Sequence, residues 1–216
     1  MNGRVASQTA RVLVVDDHSA VRSGVEALLA DEPGLEPVGT ACGAEEALAL
    51  ARERQPDVAI VDFQLGDRDG LSLCRQLKEL PEPARVVVYS AYADGPMALA
   101  GVIAGADGVV HKSALASELC DTVREVAAGR TVIPPAAPGA QAIVAAKLDP
   151  EDLPILAMLV DGTSPDEISR VLGMRPSWLA ARRWAMLERL RRLPTRRDAS
   201  SADRNQPDWP SGALPA

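Results

Sequence analysis

Aromatic side chains are nearly missing from this chain: 3% of 216 residues, with Phe63 the single phenylalanine. A core built without them must be filled by Ala, Val, Leu and Ile, and a hydrophobic content of 47% is enough for that. Long apolar runs are missing too. No segment approaches the ~18 residues that a membrane span requires. Residues Met1 to Arg11 are polar and lack the apolar stretch of a secretory signal. The expectation is a cytoplasmic protein with no membrane partner. Cysteine is scarce: Cys42, Cys74 and Cys120 are odd in number, far apart, and form no Cys-x-x-Cys pair. With only His18 and His111 to supplement them, a zinc site is not expected. There is no Gly-x-x-x-x-Gly-Lys loop and no glycine-rich first turn, which argues against a nucleotide- or flavin-binding enzyme.

Basic charge is also lacking overall, the net charge being −7, but the deficit is uneven. Residues 1–130 hold 12 Lys+Arg against 20 Asp+Glu, whereas residues 170–192 hold seven Arg and one Glu. An acidic first part and a basic patch near the end predict two domains with different partners.

Strand and helix alternate five times. Short apolar runs at Arg11–Val15, Leu35–Ala41, Asp57–Val61, Arg85–Tyr89 and Gly108–Val110 read as strands. Between and after them, Ala20–Ala30, Ala44–Arg54, Leu71–Leu80, Met97–Ala104 and Ala114–Ala128 carry helical spacing. The pattern predicts a five-stranded parallel sheet, doubly wound, in an α/β domain of flavodoxin-like kind. Gly129–Ala146 is rich in Pro, Ala and Gly and reads as a linker. Residues 148–193 read as a small all-α unit, and 194–216 as a disordered tail.

In an open parallel sheet, ligands bind beyond the carboxyl ends of the strands. There this sequence has Asp16 and Asp17 after the first strand, Asp62 after the third, Ser90 after the fourth and Lys112 after the fifth. Three carboxylates together repel unless a cation sits among them. Hard oxygen ligands suit Mg²⁺, which leaves coordination positions open for phosphate oxygens. A carboxylate beside Mg²⁺, with a hydroxyl and an ammonium at hand, suits phosphoryl transfer. The plainer alternative is a set of solvated acids capping the helices that follow.

The segments Val14-Val-Asp-Asp-His-Ser-Ala-Val-Arg-Ser-Gly24, Val61-Asp-Phe-Gln-Leu65 with Asp69-Gly70, and Gly105-Ala-Asp-Gly-Val-Val-His-Lys112 resemble receiver domains of the NarL/FixJ class of two-component response regulators. The resemblance covers roughly residues 10–128. It implies that Asp62 accepts phosphate from a sensor histidine kinase, and that the chain is a regulator rather than an enzyme acting on other substrates. It implies that Asp16, Asp17, Asp62 and the Gln64 carbonyl hold Mg²⁺, that Ser90 is the switch hydroxyl, and that Lys112 contacts the phosphoryl group. Activation by homodimerisation is implied as well. Val109 stands where the family carries an aromatic switch residue, and Leu65-Gly66 replaces its Met-Pro. Both changes predict weaker coupling to output.

Past the linker, Asp149 is the expected N-cap of a first helix with Ile155, Leu156, Leu159 and Val160 on its apolar face. Ser164, Pro165 and Glu167 open a second, with Ile168, Val171 and Leu172 inward and Gly173 ending it. A third runs from about Trp178 to Leu193. Over some 45 residues this resembles a LuxR-type helix-turn-helix, most closely at 161–174. The family's Thr-Val-Lys is Trp178-Leu179-Ala180 here, and Arg183 occupies an expected core position, with Trp184 a candidate to turn inward instead. The resemblance implies duplex DNA contacts from Arg175, Ser177, Trp178, Arg182, Arg183 and Arg189. The division implied is a receiver at 10–129, a linker at 130–147, an output domain at 148–193 and a tail at 194–216. The alternative, favoured by the missing lysine and the overall acidity, is an output domain that binds protein.

Overall fold

A computed structural model describes residues 9–66, 68–91, 93, 95–135 and 139–190, with the backbone alone at 68 and 69. Five parallel strands form one sheet: β1 (Ala10–Val15), β2 (Leu35–Ala41), β3 (Val58–Asp62), β4 (Arg85–Ser90) and β5 (Gly108–His111). Their spatial order is β2-β1-β3-β4-β5. Helices α1 (Ser19–Asp31), α2 (Ala44–Arg54), α3 (Gly70–Lys78) and α4 (Pro96–Ala104) make the crossovers, and α5 (Ala116–Ala127) follows β5. The expected α/β architecture is present, and the expected strand boundaries hold within a residue.

The inner strands are almost wholly apolar because both faces of a parallel sheet are covered. Their side chains alternate between two cores. Leu13, Val15, Ala59, Val61, Val86 and Val88 join α2, α3 and α4, while Val12, Val14, Val58, Ile60 and Val87 join α1 and α5. Pro37, which has no N–H to give, lies in β2 at the sheet's edge.

The C-terminal part contains α6 (Ala140–Ala145), a 3₁₀ turn (Pro150–Asp152), α7 (Leu153–Val160), α8 (Pro165–Val171) and α9 (Pro176–Leu190). Part of the stretch read as linker is therefore regular: Ala140 and Val144 are buried, and α6 packs on α4. Ser164 caps α8 as expected, its hydroxyl accepting the Glu167 N–H at 3.3 Å, and Gly173 follows with φ +64°. Val171, expected inward, is 63% exposed. Buried Ile168 and half-buried Leu172, four residues apart, fill the inner stripe of this short helix. The helix predicted to end at Leu193 is described to Leu190; its last residues and the stretch 194–216, read as disordered, lie outside the described residues.

Helix α4 explains how the two parts meet. Every residue from Ala98 to Ala104 is buried. A helix apolar on all sides must be covered on all sides. Val88 and Val109 of the sheet lie against Gly101 of α4, and α3, α6, α7 and α9 pack around the rest of it. One continuous core thus runs from Leu13 through Ile103 to Leu190. No helix among the described residues is long and apolar enough to cross a membrane.

Candidate functional site

The carboxyl edge of the sheet gathers the polar residues the sequence placed there. Asp16 follows β1, Asp62 ends β3 and Ser90 ends β4, and all three are buried among apolar neighbours, at 2%, 5% and 2% exposure. Lys112, one residue past β5, reaches across them. Its ammonium donates to Asp16 Oδ2 at 2.6 Å and to Asp62 Oδ2 at 2.8 Å. Its backbone N–H donates to the Ser90 carbonyl at 2.9 Å, which ties the ends of β4 and β5 together.

Burial raises the pKa of Asp62 above that of an ordinary carboxyl, and the hydrogen bond from Lys112 draws it partway back. Burial acts to lower the Lys112 pKa, but the hydrogen bonds to Asp16 and Asp62 outweigh it and the net shift is upward. One ammonium between two buried carboxylates thus leaves the cluster negative and short of one cation.

The turn after β1 is fixed by its own atoms. Asp16 Oδ1 accepts the His18 N–H at 2.8 Å, and Arg22 donates to the Asp16 carbonyl at 2.7 Å. Asp17 points outward, with His18 Nδ1 at 2.7 Å from one oxygen and the Gly66 N–H at 3.0 Å from the other. Carboxylate oxygens of Asp16, Asp17 and Asp62 and a ring nitrogen of His18 lie within 4.8 Å of one another. This oxygen-rich donor set, short of positive charge, fits a hard divalent cation such as Mg²⁺.

After Asp62, Gln64–Leu65 and Arg68–Asp69 pair as a small antiparallel hairpin. The Gln64 N–H turns back to the Asp62 carboxylate. Gly70 then starts α3 so close to β3 that a Cβ there would lie 2.0 Å from the Asp62 carbonyl oxygen. Sequence reasoning quoted Gly70 only as part of a motif; its need for the missing Cβ is a packing fact. His18 and Arg22 were not assigned to the site either, although their closeness in sequence to Asp16 and Asp17 was the available signal. Val109 is buried and its Cγ2 would lie 3.4 Å from a Cβ on Gly101 of α4, so it packs under that helix as a core residue.

The six residues offered for DNA contact divide into two sets. Arg175, Ser177 and Trp178 are exposed at the start of α9. Arg182 and Arg189 turn back to the 3₁₀ turn. Arg182 Nε donates to Asp152 Oδ1 at 2.8 Å, and Arg189 donates to Asp152 Oδ2 at 3.1 Å and to Asp149 Oδ2 at 2.5 Å. Arg183 reaches back to the helices of the sheet-bearing part and donates from Nε to the Ile103 carbonyl of α4 at 2.8 Å. Trp184 is half-buried against that same side, with the guanidinium of Arg75 4.8 Å from its ring centroid.

Comparison with known proteins agrees with this geometry. Residues 12–124 match the response regulator receiver domain family. The chain is 37% identical over 123 residues to the DNA-binding transcriptional activator DevR/DosR of Mycobacterium tuberculosis, a match spanning 57% of each chain. It is 32% identical over 192 residues to the response regulator GacA of Pseudomonas viridiflava, covering 83% of this chain and 89% of that one. The solved complex of the two-component response regulator RcsB with DNA superposes with a TM-score of 0.59 at 17% identity, over 92% of this chain and all of that one, a likeness of fold.

Proposed function

The chain belongs to the response regulator family, and from that premise we propose that it is a phosphorylation-controlled transcriptional regulator whose phosphoacceptor is Asp62. The observation that carries this reading is Lys112 bridging Asp16 and Asp62 at the carboxyl edge of the sheet. The donor would be a phosphohistidine on a sensor kinase, met in the cytoplasm. One Asp62 carboxylate oxygen attacks phosphorus in line. The phosphorus–nitrogen bond breaks as the phosphorus–oxygen bond forms, and the electron pair leaves with the imidazole.

The chain's own residues prepare that step. The sheet holds Asp62 immobile between β1 and β4 and dry on its inner side. Lys112 already faces the attacking carboxylate, so its charge is in place for the incoming phosphoryl oxygens without reorganisation. Ser90, at the end of β4, supplies the hydroxyl for a further phosphoryl oxygen. The carboxylates of Asp16, Asp17 and Asp62, with the Gln64 carbonyl, would hold Mg²⁺, which when bound neutralises charge on the group being transferred.

Residues 10–129 then act as receiver and 148–193 as the DNA-binding output, paired as a homodimer on activation. Support for the output reading comes from the capped α8, the glycine turn and the basic α9, and from relatives such as DevR/DosR that are named for DNA binding. The test is direct. With Mg²⁺ and acetyl phosphate, mass spectrometry should find one added phosphoryl group on the wild type and none on Asp62→Asn. Equal labelling of both would sink the assignment.

A further inference from the structure

We propose that the seam between the receiver and the C-terminal helices is a binding site for a small organic anion, held by Arg183, whose occupancy fastens α9 to α4. A cavity of about 640 Å³ opens there, with walls drawn from both parts of the chain. That is within the ~300–1,000 Å³ range of ordinary ligand pockets.

The charge on its wall points to the kind of ligand. Four cationic side chains, Arg75, Lys78, Arg85 and Arg183, face two carboxylates, Glu79 and Asp107. Arg75 is paired with Glu79, and Lys78 and Arg85 share Asp107. Arg183 is left over. Among the described residues no carboxylate pairs with it; its hydrogen bond goes to the Ile103 carbonyl. Its guanidinium also presses on the backbone at the end of α4, where a Cβ on Gly105 would meet Nη2 at 2.9 Å. The C-terminal end of a helix offers only about half a negative charge. Burial accordingly pushes the Arg183 pKa down, and the nearby Cys74 thiol only partly offsets it. The Arg75 Nε–H, also on this wall, is buried without a hydrogen-bond partner among the described residues.

The sequence position makes the anomaly sharper. Leu179, Met186, Leu187 and Leu190 are the buried residues of α9, and Arg183 falls on their stripe. An apolar side chain there would close the seam more cheaply than a charge with no counter-ion. A ligand carboxylate or phosphate supplies that counter-ion. Much of the remaining wall is apolar, with the Trp184 ring, already under the Arg75 guanidinium, and with Leu187 and Val102, while Thr131, Thr163 and Ser164 add hydroxyls. The ligand class is therefore an anionic head on a ring or short hydrocarbon body. A molecule touching both walls binds only the closed arrangement, so by mass action it stabilises α9 on α4. None of its contacts is Asp16, Asp62, Ser90 or Lys112. The site is a second input, separate from phosphorylation.

The probes are phenyl phosphate and benzoate, with inorganic phosphate as the control lacking an apolar body. They are titrated into the full chain by calorimetry, in metal-free buffer and in an Asp62→Asn background, so that the acceptor edge contributes nothing. At least one organic probe should bind one to one with Kd at or below about 1 mM, at least tenfold tighter than inorganic phosphate. Arg183→Gln should weaken it tenfold or more, while acetyl phosphate labelling of the otherwise wild-type chain stays intact. Should Arg183→Gln not fold, the indole N–H resonance of Trp184 decides: it should shift on addition of the probe while that of Trp178 stays still. No heat with either organic probe to about 10 mM, binding unchanged in Arg183→Gln, or an unmoved Trp184 resonance overturns the proposal.

Discussion

Arg182 holds Asp152 across the C-terminal helices. Its Nε–H donates to Oδ1 at 2.8 Å, and Nη2 lies 2.5 Å from the same oxygen but off a hydrogen-bonding angle. Asp152 has no exposed surface, and its other oxygen receives Arg189 at 3.1 Å. One buried carboxylate therefore ties two guanidinium groups together, with Asp149 and Glu151 completing the charge balance, and joins the 3₁₀ turn to α9. Removing it leaves the two arginines only the solvent-exposed carboxylates of Asp149 and Glu151. Breaking one side of a buried ion pair costs about 3–5 kcal/mol. Asp152→Ala should lower stability to urea toward the lower end of that range, since Asp149 and Glu151 remain as partners, and Asp152→Asn by less, because the amide oxygen still accepts one bond. A loss under about 1 kcal/mol for the alanine variant would show that solvent reaches the arginines freely.

The second expectation concerns Asp62 without its cation. Because burial raises its pKa, the fold disfavours the ionised form relative to the unfolded chain. The sign follows: the penalty is fully present above the folded pKa, falls away as pH drops through it, and is gone in acid below the unfolded one. Asp62→Asn should therefore melt above the wild type in metal-free buffer at pH 7, while Lys112 keeps Asp16 as a partner. Adding Mg²⁺ at about ten times its Kd should stabilise the wild type by about 1.4 kcal/mol, roughly 3–6 °C in a chain of this size. The variant should gain clearly less. Equal magnesium shifts in both proteins would place the ion away from Asp62.

The receiver half was legible because its signals are local and periodic. Strands such as Val58–Asp62 end in the residues that carry the chemistry, so naming the strand also placed Asp62 at the sheet's edge. The C-terminal half was less legible because its arginines answer to partners distant in sequence. Arg182 and Arg189 look alike on a helical wheel, yet both go to Asp152, 30 and 37 residues away. Arg183 goes 80 residues back to Ile103. A local charge of +6 says nothing about which guanidinium groups are already occupied. In the same way, the proline-rich composition of the linker hid the two buried residues of α6, Ala140 and Val144, which find their cover on α4.

Gly70 offers a purely steric test. A Cβ there would stand 2.0 Å from the Asp62 carbonyl oxygen and 2.9 Å from that of Phe63, both backbone atoms that cannot swing aside. The Gly70 N–H also donates to the Phe63 carbonyl at 3.0 Å, so the start of α3 is clamped to the end of β3. Gly70→Ala should cost about 1–3 kcal/mol, as overpacking does. It should also slow acetyl phosphate labelling by displacing the backbone that carries Asp62. Gly43→Ala, at a glycine with open space around it and an extended backbone, is the control and should change the labelling rate little. Normal stability and labelling in Gly70→Ala would mean that α3 can step away from the strand.

The last expectation assigns the DNA contacts among the arginines. In the structure Arg182 and Arg189 spend their charge on Asp149 and Asp152, and Arg183 on α4. Arg175 stands exposed at the start of α9, with Ser177 beside it. A phosphate contact from a free guanidinium contributes about one unit to the dependence of log affinity on log salt. Arg175→Ala should lower that slope by about one and weaken binding to all sequences alike, since phosphate contacts carry no sequence information. Arg182→Ala should act differently: it should reduce stability and the folded fraction of the C-terminal helices while leaving the slope of the folded molecules unchanged. With Ala180 where the family has lysine, one reader of base edges is gone, so preference among sequences should be shallow. The measurement is affinity for a duplex library at two salt concentrations, for the wild type, Arg175→Ala and Arg182→Ala, each with and without a phosphoryl mimic. A slope lost in Arg182→Ala but kept in Arg175→Ala would mean that the Asp152 pair opens on DNA. No binding by the wild type at low salt in either state would give the output helices to a protein partner.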